Sequence, residues 1–420
     1  MDLIKCVDDI ASFYPIMDEV EINGVRLRHL LNFRSVYKHI KDLGRGAFGT
    51  VKCYKERATN NYYAFKEVII NKNTNIEKLQ QEVSILYNLS HNNKSIVQYY
   101  DSFIYTNRKK SKVIYVIVTE YISGFTLYDY IDTLITENKF APTTTIFNLS
   151  LWLFSTLSYI HDAGYVHRDI KPENIMIDDK HKRFVLLDFG LTCSSEDISS
   201  SKQGKMVGTP DFIAPERWDL SKLSRKSSSP RTNDTLSIWK KSDVWSAGVT
   251  IYELVEQRLP WIVDRQEFHY SNSKYNEDNH LEALLSLQKQ ITGSYPIEYT
   301  CPIPNIVSIM RMCLNRDPNL RPSSDHVLIQ MKDMFYETSS SNNILHFSDL
   351  YDDTSNIIFI PHLDFGSDVI TSPIRSPKQN LTSTSPSRYT PPESPRSVEP
   401  PKKKHIHRPD FIFTIIRRFH

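Results

Sequence analysis

The sequence is poor in cysteine, in net charge and in long apolar runs, and each shortage excludes a class of protein. The five cysteines (Cys6, Cys53, Cys193, Cys301 and Cys313) are odd in number and scattered, with no CxxC pair. That argues against a disulfide scaffold, a zinc site or dithiol redox chemistry, and points to a reducing intracellular compartment, cytoplasmic or nuclear. Nowhere do about 18 apolar residues run together, and the start MDLIKCVDDIASF places acids where a signal peptide needs an unbroken apolar stretch. No membrane association is expected. The formal charge of +2 gives no global attraction toward nucleic acid, so none is expected as a partner. No internal repeat is visible either.

What is present is an ordinary folding composition: 40% hydrophobic, 11% aromatic and 24% charged residues. A chain of 420 residues accommodates one two-part unit of about 250 to 300 residues with extensions. Residues 1–36 mix acids and short apolar stretches without a clear period and read as an extension. From Tyr37 short β-type runs separated by turn residues predict a small antiparallel sheet. Leu79, Glu82, Leu86 and Leu89 then recur at helical spacing, and VIYVIV at 113–118 predicts a buried strand. Beyond it the pattern turns helical, with one stripe through Ile146, Leu149, Leu153, Leu157 and Ile160, and a buried helix over 242–255. The expected fold class is therefore α+β. Two polar insertions, 220–238 and 264–280, read as exposed loops. The domain expected over 37–336 divides near 121, followed by a poorly structured connector at 337–370 and a Ser/Pro-rich tail at 371–420 with a basic end.

Chemistry concentrates in a few short segments. Gly44, Gly46 and Gly49 form GxGxxG between strand-like runs, where glycine allows close backbone approach to phosphate oxygens. A dinucleotide-binding version would need a helix next; further strands follow instead, which favours a lid over nucleotide phosphates. Alternation in YAFKEV puts Ala64, Lys66 and Val68 on one strand face. Glu82 falls in the apolar stripe of the next helix, where an unpaired carboxylate is costly, so an ion pair with Lys66 is expected. The runs 175–177 and 185–187 flank the turn DDKHKR and should form a hairpin that brings Asn174 and Asp188 to one end. Two such oxygen donors suit Mg²⁺. Asp169 is placed to orient an acceptor hydroxyl and take its proton, with Lys171 steadying phosphate.

In this order, GRGAFGTV, YAFKEV, HRDIKPEN, DFG, Ala214-Pro215-Glu216 and SDVWSAGV resemble the protein kinase superfamily over about residues 38–335. The resemblance implies a bilobal fold with a β-rich N-lobe carrying one main helix and a larger, mostly α-helical C-lobe. It implies ATP and Mg as cofactors and protein substrates as partners. The nucleotide would be held by Leu43, Gly44, Arg45, Gly46, Ala47, Phe48, Gly49, Thr50, Val51, Ala64 and Lys66, with a hinge at Glu120 and Ile122 behind Thr119. Lys66, Glu82, Asp169, Lys171 and Asn174 would form the catalytic set, and Asn174 and Asp188 the metal ligands. Lys171 and Thr209 are similar to serine/threonine-specific members, Asp243 to a helix aspartate bracing the catalytic loop, and Arg321 to the arginine that pairs with the APE glutamate, here Glu216.

Ser194, Ser195, Ser199, Ser200 and Ser201 lie between DFG and APE, and a phosphate on one of them would pair with Arg168. A pseudokinase or scaffold is the main rival, and loss of Lys66, Asp169, Asn174 or Asp188 would have favoured it; none is lost. A small-molecule kinase is opposed by GTPDFIAPE, similar to a peptide-receiving loop. The tail carries five Ser/Thr-Pro pairs, at Ser372, Ser376, Ser385, Thr390 and Ser394, and a basic end, a candidate docking element for a partner.

Overall fold

A computed structural model describes residues 14–46, 49–91, 93–107, 111–199, 207–218, 232–261, 277–339, 351–352 and 357–358. Strands β1 (Met17–Ile22), β2 (Val25–Leu30), β3 (Tyr37–Gly46), β4 (Gly49–Glu56), β5 (Tyr62–Ile69), β6 (Tyr99–Asn107) and β7 (Lys112–Glu120) form one sheet in the order β1-β2-β6-β7-β5-β4-β3. All neighbours are antiparallel except β2 and β6. The sheet is larger than the residues from Tyr37 onward predict, because the N-terminal extension contributes a hairpin to it. A single-turn helix α1 (Phe33–Val36) leads from that hairpin into β3.

No period is visible in the extension because its apolar residues serve two faces. Leu27 joins the main core on one side, whereas Leu30, Phe33 and Val36 pack on the other with Tyr54, Phe65, Phe103 and Tyr105. Phe33 stacks on Tyr105 with ring centroids 3.9 Å apart and meets Tyr54 edge-on at 5.3 Å. Under these rings lies the buried Glu67, which accepts hydrogen bonds from Tyr54 Oη (2.7 Å) and Tyr105 Oη (3.1 Å) and pairs with Lys52 Nζ at 2.6 Å. Strand β5 thus buries charge on both faces, Lys66 on one and Glu67 on the other.

Helix α2 (Ile76–Ser90) starts where the Asn75 side chain accepts from the Lys78 amide, with Glu77 favourably placed in the first turn. Its buried face, Ile76, Glu82, Ile85, Leu86 and Leu89, lies in the main core with β6 and β7. Past β8 (Gly124–Thr126) the chain is mainly helical. Helix α3 (Leu127–Thr136) begins with a reciprocal Thr126–Asp129 capping box. In α4 (Thr143–Asp162) Ile146, Leu149, Leu153, Leu157 and Ile160 are all buried, and the chain turns out of the helix at Gly164 with φ +83°. Strands β9 (Tyr165–Val166), β10 (Ile175–Asp178), β11 (Arg183–Leu186) and β12 (Cys193–Ser194) frame the loops that carry the chemistry. Helices α5 (Ser195–Ser199), α6 (Pro215–Trp218), α7 (Thr232–Glu256), α8 (Glu277–Thr292), α9 (Pro304–Cys313) and α10 (Ser324–Ser339) complete the larger lobe. The architecture is bilobal α+β.

The insertion at 220–238 is not wholly a loop: from Thr232 it continues α7 toward its N-terminus, with Leu236 and the buried Trp239 packed against Val166, Cys193 and Ile198. Likewise 277–280 belong to α8, while 219–231 and 262–276 lie outside the described residues. Among the described residues no helix is long and apolar enough to cross a membrane. The described connector includes two paired dipeptide strands, at 351–352 and 357–358; the tail from 371 lies outside the described residues.

Phe33→Ala removes the ring at the centre of the outer cluster and should cost about 3 kcal/mol, as buried Phe truncations do. Urea unfolding followed by tryptophan and far-UV signals would measure it, and a loss below about 1 kcal/mol would show that the extension is only loosely attached.

Candidate active site

The ammonium of Lys66 is the meeting point of three elements. Strand β5 projects it toward α2, where Glu82 Oε1 lies 2.7 Å away, and toward the loop after β11, where Asp188 Oδ1 lies at 2.8 Å. Burial alone would lower the lysine pKa, but the Asp188 and Glu82 carboxylates outweigh it and raise it. Burial lifts the carboxyl of Glu82 despite the attraction of Lys66 and Lys78. Asp188 behaves oppositely: against the penalty of burial, Lys66 and the Gly190 amide pull it down to about 2. Of the two acids, Asp188 holds its negative charge more firmly. Gly190 leaves room for this cluster, since a Cβ there would stand 3.0 Å from Lys66 Nζ and 3.2 Å from both Asp188 Oδ1 and Glu82 Oε2 and would press on all three.

A second cluster forms across the loop before β10. Asp169 is buried, and its Oδ1 accepts from the Thr209 hydroxyl at 2.8 Å and the Thr209 amide at 3.2 Å. Its Oδ2 accepts from Asn174 Nδ2 at 2.9 Å and lies 3.1 Å from Lys171 Nζ, which also donates to Thr209 Oγ1 at 2.8 Å. Sequence reading of Thr209 noted a family likeness only; its direct hold on Asp169, 40 residues away, has no local signal.

The clusters are joined through the β10–β11 hairpin, in which Ile175 faces Leu186 and Asp178 faces Arg183. The Leu187 amide donates to the Asn174 carbonyl at 2.8 Å, which seats Asp188 beside Asn174. With Nδ2 of Asn174 given to Asp169, its amide oxygen remains to face a cation. That oxygen and an ionised Asp188 carboxylate are hard donors of the kind Mg²⁺ takes when phosphate oxygens and water complete the shell. The residues present fit that ion.

The loop backbone is fixed from beneath by Asp243, fully buried on α7. Its Oδ2 accepts from the His167 amide (2.8 Å) and from His161 Nε2 (3.0 Å), and its Oδ1 from the Arg168 amide (2.8 Å). Those bonds hold Arg168 at φ +71°, a left-handed conformation costly for a side chain of that size. Arg321 donates to Glu216 at 2.6 and 3.0 Å as a two-pronged buried pair.

The glycine segment forms the β3–β4 connection. Gly44 faces Val51, Arg45 faces Thr50 and Gly46 faces Gly49; Leu43 is exposed on β3, and Ala47 and Phe48 lie outside the described residues. Gly49 has φ +152°, and a Cβ there would collide with the Glu67 carbonyl oxygen. Val51 pairs with Lys66 and Cys53 with Ala64 across β4 and β5, and Ala64 pairs with Thr119 on β7. Glu120 ends β7, and Ile122 is buried just beyond it.

One group was not singled out from sequence at all. Arg217 is buried, and among the described residues neither of its Nη atoms meets a hydrogen-bond acceptor. It lies 3.4 Å from the centroid of Trp239, with Arg168 at 5.7 Å from the same ring. Burial first, and Arg168 second, lower its pKa to about 9. The only signal was a tryptophan, Trp239, directly after the Ser-rich insertion.

Ionising Glu82 costs stability, because its folded pKa is raised: that contribution is intact below the ordinary carboxylate range and is lost as pH rises through the elevated value. Glu82→Gln should remove this loss while leaving Lys66 paired with Asp188. Thermal melts at pH 5 and 7.5 should find the variant at least as stable as wild type at the higher pH. A variant that melts much lower at pH 7.5 would contradict the assigned direction.

A family model for the protein kinase domain matches residues 37–332. The chain is 30% identical over 295 residues to serine/threonine-protein kinase Nek8 of Danio rerio, covering 70% of this chain and 36% of that one. It is 29% identical over 297 residues to the probable serine/threonine-protein kinase nek2 of Dictyostelium discoideum, covering 70% and 61%. It is also 29% identical over 302 residues to mitogen-activated protein kinase kinase kinase 2 of Arabidopsis thaliana, covering 68% and 39%. The matches therefore span between 36% and 61% of these relatives' own lengths.

Proposed function

We propose that this chain, which belongs to the protein kinase family, transfers the γ-phosphoryl group of Mg-ATP to serine and threonine hydroxyls of protein substrates inside the cell. The observation that carries the reading is the convergence of Lys66, Asp188, Asn174, Lys171 and Asp169 on one cleft between the lobes. Lys66, kept in place by Glu82, steadies α- and β-phosphate oxygens. Asn174 and Asp188 would hold the metal, which when bound offsets charge on the phosphates. Asp169 orients the incoming hydroxyl and accepts its proton, and Lys171, 3.1 Å from that carboxylate, would steady the transferred phosphate. The glycine segment, Ala64, Glu120 and Ile122 enclose the nucleotide. The contact of Thr209 with both Asp169 and Lys171 supports serine or threonine acceptors, since it couples the loop before APE to the proton acceptor.

A scaffold that binds nucleotide without turnover would tolerate loss of any of these groups, and all are present. Asp169→Asn preserves the shape of the side chain while removing the base. ATP binding by titration should remain near wild type, while transfer to a Ser/Thr peptide library slows by about 10²- to 10⁴-fold. Wild-type turnover in that variant would refute the assignment, and absence of transfer by wild type would favour the scaffold.

The same reading extends to control. A phosphate on a serine between Leu191 and Thr209 would pair with Arg168, whose Nε already donates to the Leu191 carbonyl at 2.5 Å. The buried guanidinium of Arg217, whose Nη atoms meet no acceptor among the described residues, supports this, because a second cation beside Arg168 calls for an anion. Mass spectrometry of active protein should find phosphate in 191–208, and Arg217→Met should lower the activity of the phosphorylated form by about tenfold, a charge-assisted hydrogen bond's worth. Full activity with an unmodified segment would dismiss the idea.

A further inference from the structure

Arg183 closes the turn DDKHKR and belongs to none of the catalytic segments, yet each of its three guanidinium nitrogens donates a hydrogen bond. From β11, Nη2 donates to Glu120 Oε2 at 2.7 Å, Nη1 to the Lys94 carbonyl at 2.8 Å and Nε to Asp178 Oδ2 at 3.0 Å. Arg183 and Glu120 are both largely buried, with side chains 12% and 14% exposed, so their pairing is poorly screened by solvent. The other oxygen of Glu120 accepts from the Gln98 amide at 2.9 Å, and the Glu120 amide donates to the Gln98 carbonyl at 2.9 Å. Gln98 Nε2 in turn donates to the carbonyls of Asn93 and Ile96.

These bonds surround a fixed pivot between the lobes. The Val97 amide donates to the Leu186 carbonyl at 3.0 Å and the Leu186 amide to the Ser95 carbonyl at 2.8 Å, so β11 is bridged to the segment between α2 and β6. Ile96 and Leu186 are wholly buried there. Glu120 ends β7 at the point where the chain leaves the small lobe. One side chain thus spans the pivot, the larger lobe's hairpin and the hinge.

We propose that Arg183 is a positioning residue, a latch that fixes the nucleotide-binding hinge against this pivot and so sets the affinity of the cleft for the nucleotide. The inference rests on the reading of 120–122 as the nucleotide hinge. Arginine is needed because its planar fork serves three acceptors in fixed directions, which a lysine ammonium on a flexible stem does not. None of Asp169, Lys171, Asn174 or Asp188 belongs to the network, so the step of phosphoryl transfer is not touched directly.

The test compares wild type, Arg183→Gln, Arg183→Lys, Glu120→Gln and the Arg183→Gln/Glu120→Gln double variant in the full chain. Arg183→Gln should raise the KM for ATP by about 5- to 30-fold, within the usual range for coupling between sites, with kcat within about twofold. Arg183→Lys should recover only part of this. Glu120→Gln should raise KM similarly, and the double variant should add little more, the signature of a shared interaction. A residue acting only through stability would lower the active fraction and hence kcat, with KM unchanged. Hydrogen exchange of nucleotide-free protein provides a readout independent of turnover: amides at 96–98 and 120–124 should exchange faster in Arg183→Gln. Unchanged KM with unchanged exchange, or strictly additive effects, would overturn the latch. Faster exchange in a chain whose wild type binds no ATP would uphold the latch and remove the hinge reading.

Discussion

The arrangement of the cleft depends on one largely buried cation, the ammonium of Lys66. An ammonium taken out of water is costly unless oxygens replace its hydration, and Lys66 finds them on Glu82 and Asp188. Each acid comes from a different part of the fold, so the ion pairs can form only when β5, α2 and the loop after β11 are in register. Two carboxylates for one lysine leave a surplus of negative charge, and the surplus falls unequally: burial holds Glu82 toward neutrality, whereas Asp188 stays ionised down to about pH 2. The acid that keeps its charge is the one beside Asn174, where a divalent cation has the most to gain.

Much of this was legible because the cost of burying charge can be read from periodicity. Glu82 falls within an apolar helical stripe, and that conflict alone names a cation partner. The hairpin flanking DDKHKR is equally local, and it places Asn174 and Asp188 with no long-range information. Residues 14–36 were opaque for a physical reason: Leu27 packs on one face of the sheet and Leu30, Phe33 and Val36 on the other, so no single period appears. Glu67 was equally hidden. Beside Lys66 it looks like half of a solvated charged doublet, and only the aromatic cover from α1, β4 and β6 makes it a buried acid. Thr209, Arg217 and Arg183 have partners tens of residues away, and composition disguised the start of α7 as loop.

The covered outer face changes what β5 can do. A strand with one wet face can shift slightly at little cost, whereas β5 is held by Lys66 on the cleft side and by Glu67 beneath the aromatic cluster. Moving it would strain two sets of charge-assisted hydrogen bonds at once. The N-terminal extension therefore contributes to the site without touching it: it seals the face on which Glu67 is buried and so steadies the strand that presents Lys66.

The lobes are joined both by apolar packing, continuous through Leu86, Leu89, Ile96, Val97, Val185 and Leu186, and by polar ties. These do different physical work. Apolar contact is non-directional and permits small rotations about the pivot at 95–97 and 186. Charged hydrogen bonds are directional and lose most of their strength beyond normal bonding distance or at poor angles. On the proposed function the molecule must admit and release a nucleotide, and it would gain from having both: a pivot that tolerates rotation, and bonds at Lys66 and Arg183 that select one position within its range. On that reading, because each polar tie ends on a group that also faces the cleft or the hinge, occupancy of the site and the angle between the lobes would influence one another.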